Sequence, residues 1–141
     1  MSETSRRELR GISVEKTTFS FEKLYAWQDS MRLVKLVYAL LEKFPAHEQF
    51  ALSSQLRRAV VSVPSNIAEG NGRFSAKDQI RYFEIAYGSL MEVFCQLKIA
   101  RELGYISEED LSEPKTLIVG IAKSLSGLSR RRRENEKTEK S

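Results

Sequence analysis

The chain has 141 residues, enough for one domain to bury a core without disulfides or metal, and its 41% hydrophobic and 30% charged content is ordinary for a globular protein. A single cysteine, Cys95, and a single histidine, His47, exclude an internal disulfide and any metal site built from several His or Cys ligands. The net charge of +4 is unevenly spread: residues 1–20 carry +1, residues 21–129 are neutral and residues 130–141 carry +3, so the pI of about 9.3 comes from the two ends.

Residues 1–20 are rich in Ser, Thr, Arg and Glu and read as a flexible leader, with no apolar run resembling a signal peptide. From Ala26 to Lys43 two adjoining apolar stripes follow the helical period, one through Trp27, Met31, Val34, Tyr38 and Leu41 and the other through Leu33, Val37, Leu40 and Phe44. Phe44-Pro45 ends this first helix, because proline disfavours helix in the residue before it. A second helix is expected from about Phe50 to Glu69 on the stripe Leu52, Leu56, Ala59, Val60, Val63 and Ile67, with a kink at Pro64 and a stop at Gly70-Asn71-Gly72.

Ser75, with Asp78 three residues on, caps a third helix that runs to about Leu103. Its stripe is Ile80, Phe83, Tyr87, Leu90, Phe94 and Leu97, and further apolar residues spread round it, so protein is expected on most sides. Gly104 closes this helix, and Ser107 with Glu108, Glu109 and Asp110 opens a fourth through Leu117, Ile121, Leu125 and Leu128. Pro114 suits a first helical turn, so regular helix is expected from there. Residues 130–141 read as a basic, disordered tail after a bundle spanning 21–129. No alternating pattern with hairpin signals occurs, and four helices with short connections predict an all-α, antiparallel up-down-up-down bundle.

Certain stretches are more specific than periodicity requires: Phe21-Glu22-Lys23-Leu24 with Trp27, Phe44-Pro45, Gln55-Leu56-Arg57-Arg58-Ala59, Ser62 to Gly70, Gly88-Ser89-Leu90 with Glu92, and Leu103-Gly104-Tyr105. In this order and spacing, from about Phe21 to Leu128, the chain resembles the bacterial 23S ribosomal RNA intervening-sequence protein family. The resemblance implies a four-helix bundle that assembles as a ring-like homopentamer. A more distant likeness, one of shape, is to the accessory protein of diversity-generating retroelements, which binds a reverse transcriptase and nucleic acid. The family's name records a genomic location and states no biochemical activity. Pro114 and the Arg130–Arg133 run depart from the common pattern.

Nothing in the chain assembles a nucleophile with a base, a phosphate-cradling glycine loop or a metal-ligand cluster, so a non-catalytic protein without cofactors is expected. Cys95 reads as a small core residue. Asn66 is expected to satisfy backbone near Pro64, and Glu69 to pair with a basic residue such as Arg57 or Arg58, the other reading of both being an interface or ligand contact. Gly88 and Ser89 suggest a close helix crossing, inside the bundle or between subunits. The first and third helices offer more apolar surface than one bundle needs, which favours self-association.

Arg57, Arg58, Arg73, Lys77 and Arg81 are expected to cluster around the turn after the second helix, while residues 102–113 hold five acidic groups. With Arg130, Arg131, Arg132 and Arg133, the basic set reads either as a phosphate-attracting surface for RNA or DNA or as a solvated face. The two function classes that follow are a cytoplasmic homo-oligomeric nucleic-acid-binding module, accessory to a reverse transcriptase or other nucleic-acid enzyme, and a protein-interaction scaffold without nucleic-acid affinity. No stretch approaches the length needed to cross a bilayer, so no membrane partner is expected.

Overall fold

The computed structural model describes residues 18–140, with side chains to residue 138. The leader expected over residues 1–20 falls almost wholly outside the described residues. Four α-helices make up the described chain: α1 (Tyr25–Leu41), α2 (Leu52–Asn71), α3 (Ala76–Glu102) and α4 (Glu108–Lys140). Short 3-10 turns at Ser20–Lys23 and Ala46–Glu48 precede α1 and α2. The helices form a bundle in which α1 packs on α2 and α4, and α3 packs on α2 and α4.

Of the two apolar stripes on α1, the one through Leu33, Val37, Leu40 and Phe44 enters the core, whereas Met31 and Tyr38 are each 43% exposed. The α2 stripe is buried as expected, from Leu56 through Val60 and Val63 to Ile67. On α3 the buried line is Phe83, Ala86, Leu90, Val93, Leu97 and Ala100, so Tyr87 and Ile80 lie outside it. Trp27 is half-buried and meets the Phe21 ring edge-on at 5.2 Å, which docks the first 3-10 turn onto the bundle.

Cap chemistry sets the helix starts. Ser75 Oγ accepts from the Asp78 amide at 3.1 Å, the expected N-cap of α3. Gly104, at φ +78, closes that helix in the left-handed region open to glycine. At α4 the Ser107 Oγ accepts from the Asp110 amide at 3.0 Å and the Asp110 carboxylate accepts from the Ser107 amide at 2.9 Å. This reciprocal pair satisfies two otherwise orphaned donors and starts the helix at Glu108, six residues before the expected start at Pro114. Lys43 adds a 2.9 Å ion pair from the end of α1 to Asp110.

The basic segment expected as a disordered tail is instead the last three turns of α4, which continues to Lys140. Its contacts include an ion pair of Arg133 with Glu84 of α3 at 3.0 Å and the Arg132 guanidinium 5.9 Å from the centre of the Phe83 ring. Arginine is also a good helix former, so the run propagates a helix already nucleated upstream.

Candidate nucleic-acid interface

The residues of the specific stretches divide between a polar seam, a packing contact and open surface. Along the seam between α2 and α3, Ser62 and Ser89 share a hydrogen bond of 2.8 Å. Asn66 Nδ2 donates to the Ser62 carbonyl at 2.8 Å and to its hydroxyl at 2.9 Å. Asn66 therefore does serve the backbone next to Pro64, whose ring is buried on the core side of an unbroken α2. Gln55, Arg58 and Glu92 join the two serines in lining a groove of about 250 Å³. Below it, Gln96 is buried and donates to Glu92 at 3.1 Å.

Within the single chain, the close helix crossing is not at Gly88. A Cβ on Gly88 would meet nothing within 4 Å, while one on Gly70 would meet the Tyr82 Cβ at 2.8 Å and the Phe83 ring at 3.0 Å. Gly70 is thus the residue whose missing side chain brings α2 against α3. Glu69 pairs with Arg73 at 2.8 Å, not with Arg57 or Arg58, because a carboxylate at position 69 is one helical turn from position 73 and three from position 57. Cys95 is exposed, not a core residue, because it lies on the side of α3 turned away from the buried line. With Ile85, Gly88, Glu92, Ile99 and Leu103 it shares one outward face of that helix.

The structure separates the basic residues that the sequence groups together. Arg57 and Arg58 lie roughly 20 Å along α2 from its C-terminal turn. Lys77 and Arg81 stand near that turn, on the first turns of α3, together with Arg73. Arg73 is committed: it bonds Glu69, donates to the Tyr82 hydroxyl at 2.6 Å and lies 4.6 Å over the Tyr82 ring. The Glu69 bond, ahead of the tyrosine's influence, holds its guanidinium above the usual pKa. Arg133 is committed to Glu84, and Arg132, lowered from its usual pKa first by burial and then by the charge of Arg131, also donates to Asn71 Oδ1 at 3.5 Å.

Arg130 and Arg131 have no ion-pair partner among the described residues, and the fold gives them companions that the sequence reading missed. Lys23 from the first 3-10 turn and Lys123 from α4 line the same groove of about 360 Å³, walled by Tyr25, Leu24 and Ala26 on one side and Gly127 and Leu128 on the other. Neither lysine has an ion-pair partner among the described residues. The signal available in the sequence was the spacing Lys123, Gly127, Arg130, which puts the three on one face of a helix once α4 is known to continue. The acidic residues gather at the far end of α4, where Asp110 meets Lys43 and Glu108 meets Arg101 at 2.8 Å. About 30 Å of helix separates Asp110 from Arg130, so the neutral body is polarised along its length.

Among the described residues, no group of three or more His, Cys, Asp or Glu side chains could hold a metal ion, and no helix is long and apolar enough to cross a membrane. His47 lies in the 3-10 turn before α2, its Nε2 3.3 Å from the Tyr105 hydroxyl, which donates to Glu48 at 3.1 Å.

No curated protein matches the sequence. The fold is similar to the crystal structure of a protein of unknown function, assigned to the S23 ribosomal protein family, from Bacteroides thetaiotaomicron. The two share 24% identity and a TM-score of 0.67, over 74% of this chain and 97% of that one, a likeness of fold alone. Residues 22–127, from the first 3-10 turn to Gly127 of α4, match the family model described as 23S rRNA-intervening sequence protein, and the chain belongs to that family.

Proposed function

We propose that this protein is a non-catalytic, homo-oligomeric module that binds RNA or DNA through backbone electrostatics, acting as an accessory to a larger nucleic-acid enzyme. The observation that carries the reading is the set of four cations, Lys23, Lys123, Arg130 and Arg131, gathered at one groove with no anionic partner among the described residues. Like charges held together at a cost in self-repulsion favour an external polyanion, and each phosphate they contact releases condensed counterions.

Self-association follows from α3. Its outward apolar face, with Ile85, Ile99 and Leu103 each exposed, is surface that a second copy would cover. The helix contacts, with the end of α1 at the start of α4 and Gly70 of α2 against the start of α3, fit an up-down-up-down order, and copies joined head to tail, α3 of one against a different face of the next, would close as a ring, a pentamer by resemblance. A ring repeats the basic groove and raises apparent affinity by avidity. The cytoplasm, where such nucleic acid is found, is the compartment this reading requires.

Binding of labelled RNA and DNA followed by fluorescence anisotropy across a salt titration tests the proposal. Affinity is expected to fall steeply with salt, and Lys123→Glu with Arg130→Glu to abolish binding without changing the fold. No binding by the native protein at low salt would leave a protein-interaction scaffold as the function. Point variants are preferable to removal of residues 130–141, since that cut also deletes Arg132 and Arg133, which hold α4 against α3.

A further inference from the structure

The basic groove has a twin. On the other flank of α4 a second groove, of about 410 Å³, is lined by Tyr87 of α3 together with Ser126, and it shares Lys123, Gly127 and Arg130 with the first. The three shared residues fall at i, i+4 and i+7 on α4 and make a ridge, with a cation at each end and a glycine between them. The absent side chain at Gly127 keeps the middle of the ridge low, with the Arg131 guanidinium beside it. Each groove carries one exposed tyrosine: Tyr25, 77% exposed, on the first and Tyr87, 39% exposed, on the second.

We propose, resting on the nucleic-acid reading above, that this double groove is a site for single-stranded nucleic acid, with Lys123 and Arg130 on the phosphates and Tyr25 and Tyr87 stacking on unpaired bases. Cations alone do not separate a duplex from a single strand, because both offer phosphates. Aromatic faces beside them do, because bases inside a duplex are already stacked on one another and present only their edges. A strand following the ridge can turn successive bases into the troughs on either side. Every base has a π-face, so this arrangement binds with little sequence preference. The hydroxyl of each tyrosine has no part in the stacking, which makes phenylalanine an adequate substitute and alanine an inadequate one.

The test compares a labelled oligo-uridylate of about 12 nucleotides, within the span a stacking groove covers, with a labelled RNA duplex of equal length, by anisotropy at low salt. Four proteins are measured: the native chain, Tyr25→Ala, Tyr25→Phe and Gly127→Leu. Tyr25 is an exposed residue, and a Cβ at Gly127 would meet only the Arg131 guanidinium at an ordinary 3.5 Å; circular dichroism of each variant checks that the helices are kept. The native chain is expected to prefer the single strand. Tyr25→Ala is expected to lose about tenfold in single-strand affinity, the worth of one stacked base, with Tyr25→Phe restoring it. Gly127→Leu, which fills the saddle beside the Arg131 guanidinium, is expected to lose at least as much, while the two Tyr25 variants are expected to leave duplex affinity constant. Unchanged single-strand binding in both Tyr25→Ala and Gly127→Leu overturns the site while leaving phosphate binding standing. Absence of binding to either probe by the native chain overturns both.

Discussion

Gly70 seats α2 against Tyr82 of α3 so closely that a Cβ at position 70 would stand 2.8 Å from the tyrosine Cβ and 3.2 Å from the Gln79 carbonyl oxygen. Neither of those atoms is the free end of a flexible side chain, so the helices themselves would have to part. Gly70→Ala is therefore expected to cost about 1–3 kcal/mol, as overpacking does, and to lower the melting temperature by several degrees. Gly72→Ala, two residues on, is the control: its Cβ would meet carbonyl oxygens at 3.5 and 3.6 Å and its backbone is in the right-handed helical region. Thermal melts by circular dichroism should show a loss for the first and none for the second, and equal losses would remove the packing explanation.

Arg131 and Arg132 are neighbours in sequence with opposite assignments. Arg132 covers the Phe83 ring and bonds Asn71, whose own amide donates to Ser20 Oγ at 2.7 Å, so it ties α4 to the end of α2 and to the first 3-10 turn. Arg132→Ala is expected to destabilise the fold by about 1 kcal/mol through lost ring and stem contacts. Arg131→Ala is expected to leave the melting temperature alone, weaken binding to every nucleic-acid probe alike and reduce the slope of log affinity against log salt by about one. Melting and binding measured on the two variants side by side decide this, and a reversed pattern would reassign both residues.

This division shows how far the sequence was legible. Helix positions and the caps at Ser75, Gly104 and Ser107 could be read because they rest on local chemistry within four residues. The inward face of α1 could not, because its two stripes are equally apolar and only the position of α2 and α4 selects Leu33 and Val37 over Met31 and Tyr38. Cys95 misled for the same reason: an apolar helix does not say which side its partners occupy. Composition alone marks the arginine run as disordered, although Arg130 with Glu134 and Arg132 with Glu136 stand at the spacing that supports a helix. Lys23 and Lys123 are 100 positions apart, and only the meeting of α1 with α4 makes them one site.

Asp110 gives the stability a defined dependence on acid. The Lys43 ammonium, first, and the Ser107 amide, second, hold its carboxyl below the usual carboxylate pKa, against a smaller opposing effect of burial. Because the folded value is the lower one, the ionised group stabilises the fold at any pH above the ordinary carboxylate pKa of about 3.9. That contribution is lost as pH falls from there through the lowered folded value. Asp110→Asn is accordingly expected to melt below the native protein by a constant margin at neutral and mildly acidic pH, with the margin closing below about pH 4. Melting curves of the pair between about pH 7 and pH 2 test it, and a margin that persists at the acid limit would mean the carboxylate charge is not what Lys43 and Ser107 recognise.

The outward face of α3 separates the demands of the single chain from those of an assembly. Within one chain Gly88 has open space around it, so Gly88→Ala should stabilise an isolated subunit by about 1 kcal/mol through helix propensity alone. If a second copy lies on Gly88 and Ile99, the same methyl group enters the contact between subunits and the assembly weakens while each subunit gains. Ile99→Lys puts an unpaired charge on that face and should dissociate the oligomer outright, leaving helicity unchanged because Ile99 is outside the core. Sedimentation velocity at micromolar concentration is expected to find the native protein as a multimer, Ile99→Lys as a monomer and Gly88→Ala dissociating at higher concentration than the native chain. A native protein that sediments as a monomer would sink the ring, and a multimer indifferent to both substitutions would place the contact on another helix.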